Sequence, residues 1–223
     1  MITVDKKKCV FFFSLILWVI SLRAQEPGPW QLVRDDQGLK IYTRTTTGSE
    51  LKEIKARMLL NSSLSTVVAI INDFESYTYW VYKCSEARLL KSVGDSDMCY
   101  YHVIDAPWPM EDRDAISRFL ITQNKHTLEL KITAQGLPGY IPKKEGFTRL
   151  PKSNTVWTLT PIGPNLIQLE YVLIFDPGGE LPAWLTNMFI TDGPFQSLIN
   201  LKLRVPEPKY RGASYPFVKE WGE

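Results

Sequence analysis

The chain has 223 residues, with 26 Lys and Arg against 24 Asp and Glu, 44% hydrophobic residues and 12% aromatic ones. No basic block of the kind that grips a polyanion stands out, the "PKK" at residues 142–144 being too short, so a nucleic-acid partner is not expected. No repeat, low-complexity tract or Ser/Gly linker divides the chain, which fits one domain with one large core.

At the N-terminus, Lys6, Lys7 and Lys8 precede an apolar run at residues 9–20, and residues 21–25 lead into Glu26-Pro27-Gly28-Pro29. This is the order of a secretory signal. The run falls short of the roughly 20 apolar residues of a spanning helix. A signal peptide at residues 1–25 is therefore expected, cut after Ala24 or Gln25, with the domain proper at 26–223. Losing Lys6, Lys7, Lys8, Arg23 and Asp5 leaves 22 basic against 23 acidic residues, so the mature protein is near neutral. Export is expected, to a bacterial periplasm or the extracellular space, with a eukaryotic secretory route as the alternative. Cys9 leaves with the signal. Cys84 and Cys99 flank the turn "VGDSD" at residues 93–97, which does not set them opposite one another, so two buried free thiols are expected, with a disulfide as the alternative.

Two strand-like runs, 39–47 and 51–60, are separated by "TGSE", a hairpin signal. Asn61-Ser62-Ser63 then offers a helix N-cap, and Leu64, Val67, Val68, Ile71 and Phe74 recur at helical spacing. The same tripeptide matches a glycosylation acceptor, but capping explains it without that assumption. Residues 85–176 read as successive strands. Leu128, Leu130 and Ile132 alternate with Glu129 and Lys131, and Ile167, Leu169, Tyr171, Leu173 and Phe175 form a second row, with turns at "QNK", "GLPGYIPKKEG" and "PIGPN". Connections this short and without helices require a largely antiparallel sheet. The last long element, residues 180–205, carries an apolar stripe of Leu181, Trp184, Leu185, Met188 and Phe189, continued by Phe195, Leu198 and Ile199. Gly193 and Pro194 predict a kink within it. The order gives an α+β domain in which a curved antiparallel sheet wraps the final helix. Such an arrangement tends to leave an interior space lined by large apolar side chains.

The stretches "YYHVIDAPWPMEDRDAISRF" and "DPGGELPAWLTNMFITDGPFQSLINLK", with "NDFESYTYWV" before them, resemble the START superfamily of helix-grip lipid-binding domains, over about residues 30–204. The resemblance implies a helix-grip fold and a START-like ligand-binding domain at 26–223. It also implies an internal hydrophobic cavity for one lipid or other hydrophobic molecule, bound by a monomer, with transfer through transient contact with membranes as a further expectation.

Within "DAPWPMEDRD", Ala106 and Trp108 each precede a proline and are pushed to extended conformations, while Pro107 and Pro109 donate no backbone hydrogen bond. This is a rigid loop. The resemblance sets it near the tunnel mouth, with Trp108 as a mouth or lid residue, against an ordinary turn with the ring packed on the sheet edge. Arg113 and Asp114 are neighbours on a strand and point to opposite faces. Arg113 is expected inward, paired with an acidic group, against a surface ion pair with Glu111 or Asp112. Trp80, Tyr101, Trp157 and Tyr171 are expected to line the tunnel, though each also suits a plain core. His102 follows Tyr101, so exactly one of that pair faces inward; His102 is counted among the tunnel candidates for a contact to a polar ligand head, against the favoured reading of a satisfied surface histidine. Trp184, Met188 and Phe189 are expected to face the sheet from the final helix.

His102 and His126, with two remaining cysteines, have no metal-ligand spacing, and no metal or cofactor is expected. There is no G-x-S-x-G, phosphate loop or dinucleotide fingerprint. The expected protein is not an enzyme. The alternatives are a cyclase-like enzyme using Asp112, Arg113 and Asp114 in the same cavity, and an exported interaction module with a filled core.

Overall fold

The computed structural model describes residues 27–45, 52–178, 181 and 188–223, so the expected signal segment and the turn at residues 47–50 lie outside the described residues. Strands β1 (Gln31–Asp36) and β2 (Leu39–Thr45) form a hairpin. Its two turn residues, Gln37 and Gly38, have φ of 53° and 77°, the double positive φ that matches the twist of paired strands. β2 buries Leu39, Ile41 and Thr43 in alternation, and pairs with β3 (Lys52–Leu60) so that Ile41 lies opposite Ala56.

Helix α1 (Leu64–Asn72) starts at the predicted cap: the Ser63 hydroxyl accepts from the Thr66 amide at 3.2 Å. The two amides before it are satisfied from far along the chain, because the Glu220 carboxylate accepts from Leu64 and Ser65 at 3.0 and 2.8 Å. A 3-10 turn (Phe74–Ser76) and a short α2 (Tyr77–Trp80) follow.

The remaining strands are β4 (Cys84–Ser92), β5 (Asp97–Ile104), β6 (Asp112–Gln123), β7 (Leu130–Gly136), β8 (Phe147–Arg149), β9 (Lys152–Gly163) and β10 (Leu166–Asp176). Leu128 belongs to the turn rather than the strand, with φ of 60°. Asn124 shapes that turn by accepting from the His126 and Thr127 amides. The sheet runs β1-β2-β3-β10-β9-β7-β6-β5-β4, with β8 beside β6 as the one parallel pairing among the described strands. The first hairpin thus docks on the last strand, and β1 and β4 form the edges.

A π-helical turn (Met188–Asp192) leads into α3 (Gly193–Arg204), which has Pro194 in its first turn, where a missing N–H leaves no helical bond unmade. The irregularity falls at the Gly193-Pro194 step expected to kink. One apolar cluster joins the inward rows of the sheet to α1 through Leu64 and Val68, and to α3 through Phe195, Leu198 and Leu201. Arg34 lies over the Phe195 ring at 3.3 Å and reaches Asp192 at 3.3 Å, tying the first hairpin to α3. The result is a helix-grip fold: a curved antiparallel sheet holding a C-terminal helix. No helix among the described residues is long and apolar enough to cross a membrane.

Cys84 and Cys99 are buried and free. Cys84 belongs to the inner cluster and Cys99 to a second cluster on the outer face. Cys99 lies opposite Lys91 rather than Cys84, so a bridge between them has no geometry to form.

Candidate functional site

Between the sheet and its helical cover lies a cavity of about 170 Å³. Strand alternation decides its lining. On β5, Tyr100, His102 and Ile104 face it, and on β6 the residues opposite or diagonal to them, Arg113, Ser117 and Phe119, do the same. From β9 and β10 come Trp157 and Tyr171, a cross-strand pair with ring centroids 4.6 Å apart at 71°, and the aligned pair Thr155 and Leu173. Trp80 closes the space from α2, and Pro194, Ser197 and Leu198 close it from α3. The two parts of the cover are stitched together, since the Tyr82 amide donates to the Ser197 hydroxyl at 3.0 Å and Asn200 donates to the Trp80 carbonyl at 3.1 Å.

The space exists because the inward rows carry small residues at their middle: Ser117 on β6, Ala134 on β7, Ser153 and Thr155 on β9. Large rings stand around them. Tyr100 stacks between Phe74 and His102, at centroid distances of 4.8 and 5.0 Å. The interior is therefore rimmed with aromatics and is not filled.

Burial sets the electrostatics of its lining groups. Burial pushes the Tyr77, Tyr100 and Tyr171 hydroxyls well above the usual tyrosine range, so each stays protonated. Burial pushes His102 down to about 4, against the pull of Asp114, so its ring is neutral. Arg113 is the one charged side chain among the described lining residues and is 5% exposed. Burial lowers its pKa, against the neighbouring Glu111 and Asp112 charges.

Among the described residues, no carboxylate pairs with Arg113. Its Nη1 donates to the Glu111 carbonyl and its Nε has no partner. The neighbouring acids are engaged elsewhere: Glu111 accepts from the Thr148 hydroxyl and Asp112 from the Ala106 amide. Asp114, one residue on, faces the other way. It forms a two-pronged ion pair with Arg149 at 2.8 and 2.9 Å, both side chains 1% exposed. Arg149 also donates to the Pro138, Ile141 and Pro142 carbonyls, so all five of its N–H groups are used and the long loop is held against the outer face of the sheet. Asp112, Arg113 and Asp114 therefore do not converge on one point as a catalytic group.

Of the expected lining residues, Trp80, His102, Arg113, Trp157 and Tyr171 come together here. Tyr101 does not. It is 2% exposed but on the outer face, packed with Cys99, Val103 and Ile116 under the loop that Arg149 holds, because its neighbour His102 takes the inward position. Nor does Trp108 touch the cavity. It is 92% exposed in the loop between β5 and β6, with its peptide to Pro109 cis, packed neither as a lid nor on the sheet edge. Trp184 and the side chains of Met188 and Phe189 lie outside the described residues; the backbone of the latter two forms the π-helical turn. Tyr100, Ser117, Phe175 and Ser197 also line the cavity and were not singled out from sequence. The parity that sends Arg113 inward identifies Tyr100 and Ser117 once the β5–β6 register is known. Among the described residues, no group of three or more His, Cys, Asp or Glu is placed to hold a metal.

No family model matches the chain. It is similar to an uncharacterized protein of Pseudomonas aeruginosa, 32% identical over 181 residues, which span 78% of this chain and 85% of that one. It is also similar to the phosphatidylcholine transfer protein of Rattus norvegicus, 23% identical across 74% of this chain and 78% of the relative. Among solved structures, a STAR-related lipid transfer protein of Xanthomonas axonopodis matches with a TM-score of 0.73 and 28% identity, covering 79% of this chain and 98% of that one. With a helix-grip sheet, an aromatic-lined cavity and these likenesses over most of its length, the chain belongs to the START superfamily.

Proposed function

We propose that the protein encloses one lipid or other hydrophobic molecule in this cavity and carries it without chemical change, as a monomer outside the cytoplasm. The observation that carries the reading is the unfilled, aromatic-walled space between the sheet and α3. Apolar surface buried there stabilises a ligand by about 25 cal/mol per Å². The names of the rat and Xanthomonas relatives, both lipid transfer proteins, support it. Protonated tyrosines and a neutral histidine offer binding surface rather than an ionised nucleophile. Export rests on the signal-like order of residues 1–25. Entry requires α3 or the loop between β5 and β6 to move, and the exposed Trp108 ring is the side chain that meets a membrane surface during exchange.

The test is native mass spectrometry of the mature protein, purified without detergent, followed by organic extraction. A lipid released in one-to-one ratio is expected. A mass that stays that of the bare chain, even after incubation with mixed lipids, would sink the reading.

A further inference from the structure

We propose that the cargo is an acidic amphiphile, whose carboxylate or phosphate head is held by Arg113 with His102 beside it. This rests on the reading of the cavity as a carrier site and goes on to name the chemistry of its occupant.

Three buried polar atoms of the cavity wall have no hydrogen-bond partner among the described residues: Arg113 Nε, His102 Nδ1 and Trp80 Nε1. The guanidinium and indole nitrogens can only donate, and the imidazole donates from Nδ1 in one of its neutral tautomers. No Asp or Glu lies among the described lining residues to accept from them. Arg113 and His102 are diagonal neighbours on the same face, because Arg113 pairs with Ile104 and His102 with Ala115 across the β5–β6 ladder. One head group can therefore span both.

A buried guanidinium without an anion is an unfavourable arrangement that the fold has means to avoid, as Arg149 shows on the opposite face, where it meets the Asp114 carboxylate and three carbonyls. What differs at Arg113 is that its open side faces a cavity. An anion bound there supplies the missing charge and accepts the unused N–H groups. A purely cationic head, with no anionic group of its own, would bring a second cation against Arg113, with no acid among the described lining residues to balance it. The aromatic walls then take the tail.

The test uses cis-parinaric acid and its methyl ester, which share one tail and differ in the head, with the full mature protein and fluorescence as readout. The wild type is expected to bind the acid at least tenfold more tightly than the ester. Arg113→Gln is expected to bring the acid down to the ester's affinity and leave the ester unchanged, while Arg113→Lys keeps part of the preference. Displacement by lysophosphatidate or by palmitate assigns the head as phosphate or carboxylate. Equal affinity of the wild type for acid and ester, or a preference that survives in Arg113→Gln, would overturn the proposal and leave the carrier reading standing. Failure to bind any of these probes would overturn both. If Arg113→Gln does not fold, the acid-to-ester ratio of the wild type decides alone.

Discussion

The two faces of β5 and β6 bury similar residues for different ends. On the outer face Asp114 meets Arg149, whose every donor is used, and Cys99, Tyr101 and Ile116 pack under a loop with no cavity between. On the inner face Arg113, His102 and Tyr100 stand around an open space, and two of the three keep polar atoms without partners. The same two strands therefore carry a closed polar network that holds the fold and an open one that awaits a ligand. Burial alone does not tell them apart, since Tyr101 and Arg113 are 2% and 5% exposed. Pairing of the buried charge does: Arg149 has the Asp114 carboxylate, and Arg113 has no carboxylate among the described residues, whereas an unpartnered hydroxyl occurs on the outer face too, at Tyr101.

Breaking the outer network has the largest expected effect. Arg149→Ala leaves Asp114 buried and uncompensated and frees the loop from its three carbonyl bonds, at a cost of about 3–5 kcal/mol in denaturant unfolding. Replacing both partners by apolar residues, Asp114→Leu with Arg149→Met, is expected to cost much less, because no lone charge remains. If the single and double variants are equally destabilised, the pair is not what holds this face together.

Closing the inner space gives the converse result. Ala134→Phe places a ring among Phe119, Thr155 and Trp157, where the small residues leave room. Ligand affinity is expected to fall at least tenfold, with a melting temperature unchanged or raised, since the new ring fills a void rather than crowding a packed core. A variant that melts much lower while binding normally would show that the cavity lies elsewhere.

How far this contrast was legible in the sequence depends on what covers each strand. β7 reads clearly because Leu130, Ile132 and Ala134 are buried while Lys131 and Gln135 face water. β5 does not: Met98, Tyr100 and Ile104 on one face and Cys99, Tyr101 and Val103 on the other are all apolar, since a loop covers the outer side as the helices cover the inner. Alternation then cannot say which face holds the ligand, and Tyr101 reads as well as His102. β1 escaped for the opposite reason: as an edge strand with nearly every residue exposed, it has no buried row to announce it. Arg149 sits 35 residues from Asp114 on a three-residue strand, a separation that no local pattern bridges. The helix cap at Ser63, the antiparallel sheet and the break at Gly193-Pro194 were all local, and all were readable.

A smaller effect separates the faces by pH. Burial holds the folded His102 near pKa 4, whereas in the unfolded chain it titrates near the ordinary value of 6.5. Its folded pKa is depressed, so the unfolded state binds the proton first. The neutral ring favours the fold fully above about pH 6.5, and that advantage is lost as pH falls toward 4, with a slope approaching about 1.4 kcal/mol per pH unit. His102→Gln is expected to remove this slope from urea titrations between those limits. A slope that persists in the variant would place the titrating group elsewhere.

The smallest expected effect on stability, and the most specific to transport, is at Trp108. Its ring is 92% exposed, so Trp108→Ala is expected to change unfolding free energy by less than about 0.5 kcal/mol. Its loop nevertheless joins the ends of β5 and β6 whose last inward residues, Ile104 and Arg113, line the cavity. The loop is fastened at its base by the Asp105 amide on the Lys83 carbonyl and the Ala106 amide on Asp112, both at 2.8 Å, which keeps the ring outward. A large amphipathic ring held outward beside a lipid cavity suits the interface between water and headgroups. Equilibrium affinity in Trp108→Ala is therefore expected to match the wild type, while transfer of a fluorescent lipid between vesicles slows several-fold. Unchanged transfer would remove Trp108 from the exchange step and leave the movement of α3 as the route into the cavity.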